Sequence, residues 1–486
     1  LHPLLLFDSR DEDQLHRVEK AGWEIMQACV DLGGTISGEH GIGVEKQDAM
    51  RMVFSEDDFD LQRRLKRAFD PDNVLNPGKV LPKPLGKEGT SEADAVSGNG
   101  SSAAEIMGKI KNAASRKQPV IPVGSGTYNW YGNLPDREAV SVASSSLAEI
   151  IEYDPPNQVI TVGAGLSFKA LQEHLQAHNQ WLPIRPPFFK DSSTIGRMVA
   201  LAACGPERLL YGAPRDLLLG LRFVNSSGLL ISAGGRVVKN VAGYDITRLI
   251  TGSAGTLGFI TEATLRVSTM PKRCSAMTAS GSLDACAATA LEILKSNCLP
   301  VFVACIPENL APADNEPGKW NLTVGFEGFS QTVDYQLEKC EAMLQEGGLT
   351  VNGQTDYPVH EGIFSEVYDR LSQSPFILRG DFLLNRLAEF INSTESERSI
   401  SSMFLDFGCG RILAGIDDLS DEQWSGVCGL AVEHDGHVLL EKAPDDFKKR
   451  NDVFGQPNDA WKVMHKIKAE LDPDGIFARG RLPGKV

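Results

Sequence analysis

Residues 235–267 read Gly-Arg-Val-Val-Lys-Asn-Val-Ala-Gly-Tyr-Asp-Ile-Thr-Arg-Leu-Ile-Thr-Gly-Ser-Ala-Gly-Thr-Leu-Gly-Phe-Ile-Thr-Glu-Ala-Thr-Leu-Arg-Val, and the fold is decided by what this stretch can do. Asp245 is placed to cap a helix, its carboxylate accepting from the backbone N–H of Thr247 or Arg248. A short helix follows, with Ile246, Leu249 and Ile250 on one face. Gly252, Gly255 and Gly258 then permit positive φ and close approach of the backbone to a ligand. Phe259, Thr261, Ala263, Leu265 and Val267 alternate with Ile260, Glu262, Thr264 and Arg266, which predicts a strand with two different faces. Spacing alone describes a glycine-rich corner between a helix and a strand.

Around this corner, 486 residues are enough for two or three domains. With 42% hydrophobic and 23% charged residues, the chain can build a core under an ordinary polar surface. A net charge of −16 leaves no basic surplus to neutralise phosphates, which argues against nucleic acid or an anionic membrane as partner. No apolar run approaches the roughly 20 residues of a membrane helix, so no direct insertion is expected. The cysteines at 29, 204, 274, 286, 298, 305, 340, 409 and 428 include no Cys-x-x-Cys pair for zinc or an iron–sulfur cluster, and their scatter suits a reducing cytoplasm. The first residue is Leu1 rather than an initiator methionine, with the expectation that the chain begins partway through a longer protein.

Residues 1–84 read as the end of one domain. Leu15, Val18, Ile25, Cys29 and Val30 form a helical stripe that Gly33-Gly34 stops. A second helix starts at Ser55, with Asp58 placed for a reciprocal cap and Leu61, Leu65 and Phe69 inward, and halts at Asp70-Pro71. Residues 85–103, rich in Gly, Ser and acidic residues, read as a linker. Next, a helix through Ile106, Met107, Ile110 and Ala114 leads to the strand Val120-Ile121-Pro122-Val123 and to Gly124-Ser125-Gly126-Thr127-Tyr128-Asn129. Successive N–H groups in such a turn form an anion nest suited to a pyrophosphate. The turn is neither a Walker loop nor a Gly-x-Gly-x-x-Gly fingerprint, and a plain strand–turn accounts for it equally well. Strands are predicted at 150–153 and 159–163, with a hairpin at 219–231 turning on Asn225-Ser226-Ser227-Gly228. His174 and His178 share a helix face without a third ligand nearby and read as surface residues. From 272 to 486, strand-like and helix-like pieces alternate, which suits an antiparallel sheet covered by helices. The chain ends on a repeat, residues 467–484 echoing 65–82.

Lys239-Asn-Val-Ala-Gly-Tyr-Asp245, Gly252-Ser-Ala-Gly-Thr-Leu-Gly258 and Ile260-Thr-Glu262 together resemble the flavin-binding core of the vanillyl-alcohol-oxidase-type (PCMH) flavoproteins, and among them the FAD-binding E subunits of bacterial glycolate oxidases. The resemblance implies an α+β fold: a PCMH-type two-lobe FAD-binding domain over 104–271 and an antiparallel-sheet cap domain over 272–486. It makes Val123, Gly124, Ser125, Gly126 and Thr127 the pyrophosphate loop. Pro187, Thr194, Gly196, Gly205, Gly212, Arg215, Asp216, Gly255, Gly258 and Ile260 match places where relatives approach the flavin. Two departures stand out. Arg197 replaces a second glycine, and no histidine lies near the loop to bond flavin covalently, so noncovalent FAD is expected.

Glu39-His40-Gly41-Ile42-Gly43 and Asp70-Pro71 through Leu75-Asn76-Pro77-Gly78-Lys79 resemble the C-terminal end of the catalytic D subunits and of D-lactate dehydrogenases. By that resemblance residues 1–84 are a partial FAD-linked-oxidase C-terminal domain. His2 and Glu39 would ligate a divalent metal, Zn or Mn, and His40 would take the substrate hydroxyl proton. A 2-hydroxy acid needs such a cation and a base of near-neutral pKa while hydride leaves for the flavin. The chain then reads as a D–E fusion whose repeated tails are two ancestral C-termini. Ala478-Arg479-Gly480-Arg481 replaces Asn76-Pro77-Gly78-Lys79, and loss of Asn-Pro predicts that the second tail docks less tightly on the flavin domain. The implied reaction is oxidation of glycolate or D-lactate to the 2-oxo acid, with electrons passed to an iron–sulfur subunit. A noncatalytic flavin relay or scaffold, and a stand-alone oxidase using O₂, are the alternatives.

Overall fold

The computed structural model describes residues 5–85, 100–308, 319–360, 362–394 and 400–485. His2 and most of the expected linker lie outside the described residues.

The first module holds helix α1 (Glu12–Asp31), whose Asp11 cap accepts from the N–H groups of Asp13 and Gln14, and helix α2 (Glu56–Phe69). Ser55 and Asp58 cap α2 reciprocally: Ser55 N donates to Asp58 at 2.8 Å and Asp58 N to Ser55 Oγ at 3.2 Å. The second oxygen of Asp58 accepts from Ser232 N at 2.8 Å, tying α2 to the next domain. Ile36, Ile42, Met50, Phe54 and Phe59 form a small core with Ala242 of that domain. Helix α1 buries no residue at all, and among the described residues the module contributes no strand.

The second domain opens with helix α3 (Gly100–Ser115) and the strand β1 (Val120–Val123), paired in parallel with β2 (Val140–Ala143). Beside this pair stands a five-stranded antiparallel sheet in the order Ile150–Asp154, Val159–Gly163, Phe259–Arg266, Leu218–Val224, Leu230–Gly234. Asp245 caps the helix Ile246–Ile250 through Arg248 N at 3.1 Å. Gly252 and Gly255 take φ of +81° and +72°. Gly258 does not; its missing side chain matters because a Cβ there would lie 2.5 Å from the Phe223 ring. The expected two-faced strand is corrected as well. Phe259 through Ala263 are all buried, because other elements pack against the strand on both sides, Phe259 with Ile106 and Phe477 and Ile260 with Ile195 and Met198. Its Glu262 is neutralised across the register by Arg222 at 3.7 Å.

The third unit is an eight-stranded sheet whose strand pairs are all antiparallel, running from Thr350–Asp356 at one edge to His437–Lys442 at the other. Alternate residues feed two cores. Val303, Cys305, Leu322 and Val324 pack under covering helices such as Leu283–Lys295 and Ser330–Glu346. Phe302, Ala304, Phe404 and Leu413 pack with Phe188 of the flavin-type domain.

The C-terminal helix Asp459–Leu471 packs on α2 and delivers the second tail back to β1. Val120 N donates to Ile476 O at 2.6 Å and Ala478 N to Val120 O at 2.8 Å. Ile476, Phe477 and Ala478 are buried. The second tail is therefore seated on β1 without Asn-Pro. What anchors the tail is an apolar pair and a buried Lys468–Asp472 bridge, neither of which involves the Asn-Pro position.

Candidate functional site

A cleft opens where the loop after β1 faces the glycine corner. Val123, Gly124, Ser125, Gly126 and Thr127 line it, as do Thr194, Gly196, Gly255, Gly258 and Ile260. Local sterics explain the glycines. Gly126 adopts φ +75°, and a Cβ on Gly124 would lie 2.5 Å from Thr194 Oγ1. Thr194 itself caps the helix Ile195–Leu201 by accepting from Arg197 N at 3.2 Å. A Cβ on Gly196 would press on Ala164 O at 2.9 Å. Ile121, Pro122, Ala200, Leu201 and Phe259 supply apolar walls.

Two arginines enter this cleft. The Arg197 guanidinium lies 4.0 Å over the Tyr128 ring and 4.2 Å over Phe189, and donates to Ser193 Oγ at 2.9 Å and Thr127 Oγ1 at 3.2 Å. Its buried Nε has no hydrogen-bond partner. Burial lowers its pKa to about 10, which leaves it charged at neutral pH. Arg481, brought from the last turn of the chain, donates to Asn129 O at 3.2 Å and to Tyr131 O. Among the described residues no carboxylate lies within ion-pair distance of either. Two unpaired cations beside a glycine loop and flat apolar walls suit a dinucleotide with a central pyrophosphate. The resemblance marks Arg197 only as a departure and does not mark Arg481, although Lys79 at the same place in the first tail is a signal for it.

A second cavity adjoins the first through Tyr128, Tyr131, Arg197 and Leu201, and reaches the cap sheet. Pro187 and Gly205 line this one. Its polar groups come from distant strands. Arg379 donates to Glu441 at 3.0 Å, Tyr128 hydrogen-bonds the other Glu441 oxygen, and Arg411 donates to Asp381 at 2.7 Å. Buried Asp406 is pushed up to about 6, and its Oδ1 has no hydrogen-bond partner.

Other expected residues lie elsewhere. Gly212 (φ +88°), Arg215 and Asp216 build the turn around Pro214–Leu217, where Asp216 accepts from Ala213 N at 3.0 Å, and they line neither cavity. Glu39 pairs with Lys239 at 2.6 Å on the outer side of the decisive stretch, where Ser37 O accepts from Val241 N at 3.1 Å. Neither Glu39 nor His40 lines either of these two cavities. Among the described residues no three His, Cys, Asp or Glu side chains cluster as metal donors.

Beside the second cavity, Glu207 accepts from the N–H groups of Arg185 and of Gly205 (3.1 Å). Burial pushes its carboxyl up to about 7. The folded state therefore keeps a proton that the unfolded chain, with a carboxyl near 4.3, gives up. Stability contributed here is full below about pH 4 and is lost as pH rises through about 7. Glu207→Gln should remove that slope, so the melting temperature of the variant minus wild type grows from about pH 5 to about pH 8. Melting curves across that range check it; a constant gap contradicts it.

Residues 1–80 match the family model described as FAD linked oxidases, C-terminal domain, and residues 100–234 the model described as FAD binding domain. Glycolate oxidase subunit GlcD of Bacillus subtilis (strain 168) is 30% identical over 412 residues, covering 78% of this chain and 87% of that protein. Glycolate oxidase subunit GlcE of Escherichia coli (strain K12) is 35% identical over 167 residues, 34% of this chain; the chain spans only 47% of GlcE. GlcD of the same organism is 48% identical over 82 residues, 17% of this chain and 16% of that protein. The α+β architecture, the glycine-lined cleft and these matches agree, and the chain belongs to the FAD-linked oxidase family.

Proposed function

We propose that residues 104–486 form an E-like FAD carrier and that residues 1–84 are the closing part of a D-like catalytic unit, in an assembly that oxidises glycolate or D-lactate to the 2-oxo acid. Electrons would leave through an iron–sulfur subunit. The observation that carries this reading is the pair of arginines without carboxylate partners in the glycine-lined cleft.

Bound FAD supplies a two-electron acceptor for hydride. The chain's own residues do the holding. Arg197 and Arg481 would balance the pyrophosphate charge, the backbone N–H groups of Gly124–Thr127 would donate to it, and Leu201 and Ile260 would exclude water. In the D-like unit, His40 would take the hydroxyl proton. The metal implied by resemblance has no donor set among the described residues, and Glu39 is already paired with Lys239, so no step is assigned to it.

A relay or scaffold role for the E-like part has its own support. Neither cavity is lined by histidine, and the acidic groups of the second, Asp406 and Glu441, stand among Arg379 and Arg411. Anaerobic titration of the FAD-loaded chain with glycolate, then D-lactate, tells whether the E-like half is itself catalytic. The proposal expects no bleaching by this chain alone and bleaching once a D-like flavin lobe is supplied. Direct bleaching by this chain alone would move catalysis into the E-like half, and rapid reoxidation in air would then mark an O₂-using oxidase.

A further inference from the structure

The two repeated tails have one conformation and two fates. In the first, Lys66 pairs with Asp70 and donates to Leu75 O at 2.8 Å, while Asp70 accepts from Val74 N and Leu75 N at 2.9 Å each. In the second, Lys468 pairs with Asp472 and donates to Phe477 O at 2.8 Å, while Asp472 accepts from Ile476 N and Phe477 N at 2.8 Å each. Positive φ recurs at matching places: Asn73 and Gly475 (51° and 62°), Asn76 and Ala478 (47° and 43°), Gly78 and Gly480 (69° and 86°). The second tail is seated. Leu471, Ile476 and Phe477 are at most 3% exposed, the strand-like pair lies along β1, and Arg481 reaches into the flavin cleft. The first is bare, with Phe69 at 59%, Val74 at 73% and Leu75 at 64% exposure, and Lys79 stands exposed at the position of Arg481.

We propose that residues 69–79 are a preformed plug for the FAD-binding lobe of a GlcD-type flavoprotein: Val74 and Leu75 would lie along that lobe's first strand and Lys79 would enter its flavin cleft. The occupant is identified by the duplicate, because a tail of this shape, apolar at the same two positions, already sits on such a lobe in this chain. The lobe on this chain cannot be the occupant, since Ile476 and Phe477 fill it. The solvent-facing α1, with Trp23 and Leu15 exposed, extends the uncovered side of the same module. This inference rests on the D–E reading above and names its docking surface.

Two measurements test it. In the full chain, Leu471–Leu482 is replaced by the sequence of Phe69–Val80. A lobe-seating plug keeps FAD at one per chain with affinity within about fivefold of the unaltered chain, and loss of FAD overturns the proposal. Second, the full chain is co-expressed with E. coli GlcD lacking its 82 matched residues. The pair should copurify with two FAD, Val74→Asp with Leu75→Asp should abolish copurification, and Lys79→Ala should weaken the partner's FAD at least tenfold while leaving this chain's FAD in place. No copurification with the unaltered chain, or equal copurification with the Asp variant, overturns it. If the unaltered chain lacks FAD altogether, the flavin reading fails first; if it holds FAD but no partner lobe, only the plug fails.

Discussion

Arg197→Met is expected to weaken FAD binding about 10- to 100-fold, the loss of charge-assisted bonds worth roughly 1.5–3 kcal/mol. Methionine keeps an unbranched apolar side chain there but loses both the charge and the guanidinium stacking on Tyr128 and Phe189. Arg197→Lys keeps charge but loses the planar fork that Ser193, Thr127 and the pyrophosphate share, and should fall between the two. Fluorescence titration with FAD reads the affinity, and circular dichroism confirms the fold. Affinity unchanged in the methionine variant would remove Arg197 from the site.

Lys468→Met should cost about 3–5 kcal/mol, because it leaves the Asp472 carboxylate buried without its cation. Both side chains are sequestered, at 4% and 0% exposure, and the ammonium also satisfies Thr256 O and Phe477 O at 2.8 Å each. Loss of these bonds frees the tail from β1 and withdraws Arg481 from the cleft, so FAD affinity should fall with stability. The matching change in the bare tail, Lys66→Met, should cost only about 1 kcal/mol, since Lys66 is partly solvated and nothing is seated on its tail. Denaturant unfolding of the two variants side by side checks the contrast. Equal losses would mean that the tails are energetically alike.

Legibility followed sequence distance. The Ser55–Asp58 cap, the Asp245 cap and the positive φ of Gly252 and Gly255 depend on neighbours a few residues away, and their residue types announce them. The glycine loop was visible for the same reason, and the motif resemblance brought Thr194 and Gly196 to the same cleft. Tertiary structure decided the rest. The strand from Phe259 looks two-faced because its polar residues alternate, yet packing against other elements buries both faces and its neighbour in the sheet pairs Glu262 with Arg222. Arg481 lies 352 residues from Asn129, whose carbonyl it meets. Tyr128, Arg379, Asp406 and Glu441 converge only after the cap sheet folds over the lobe. That the second tail seats on β1 was not legible, because its partner Val120 lies far from it in sequence.

The cleft between the Gly124–Thr127 loop and the Gly252–Gly258 corner is expected to hold FAD without a covalent bond. The most direct measurement is the visible spectrum of the purified 486-residue chain, followed by acid precipitation to release the chromophore. The predicted result is a flavin spectrum at one FAD per chain, with all of the colour in the supernatant. A colourless protein that stays colourless when FAD is added, or flavin that remains with the pellet, would contradict it.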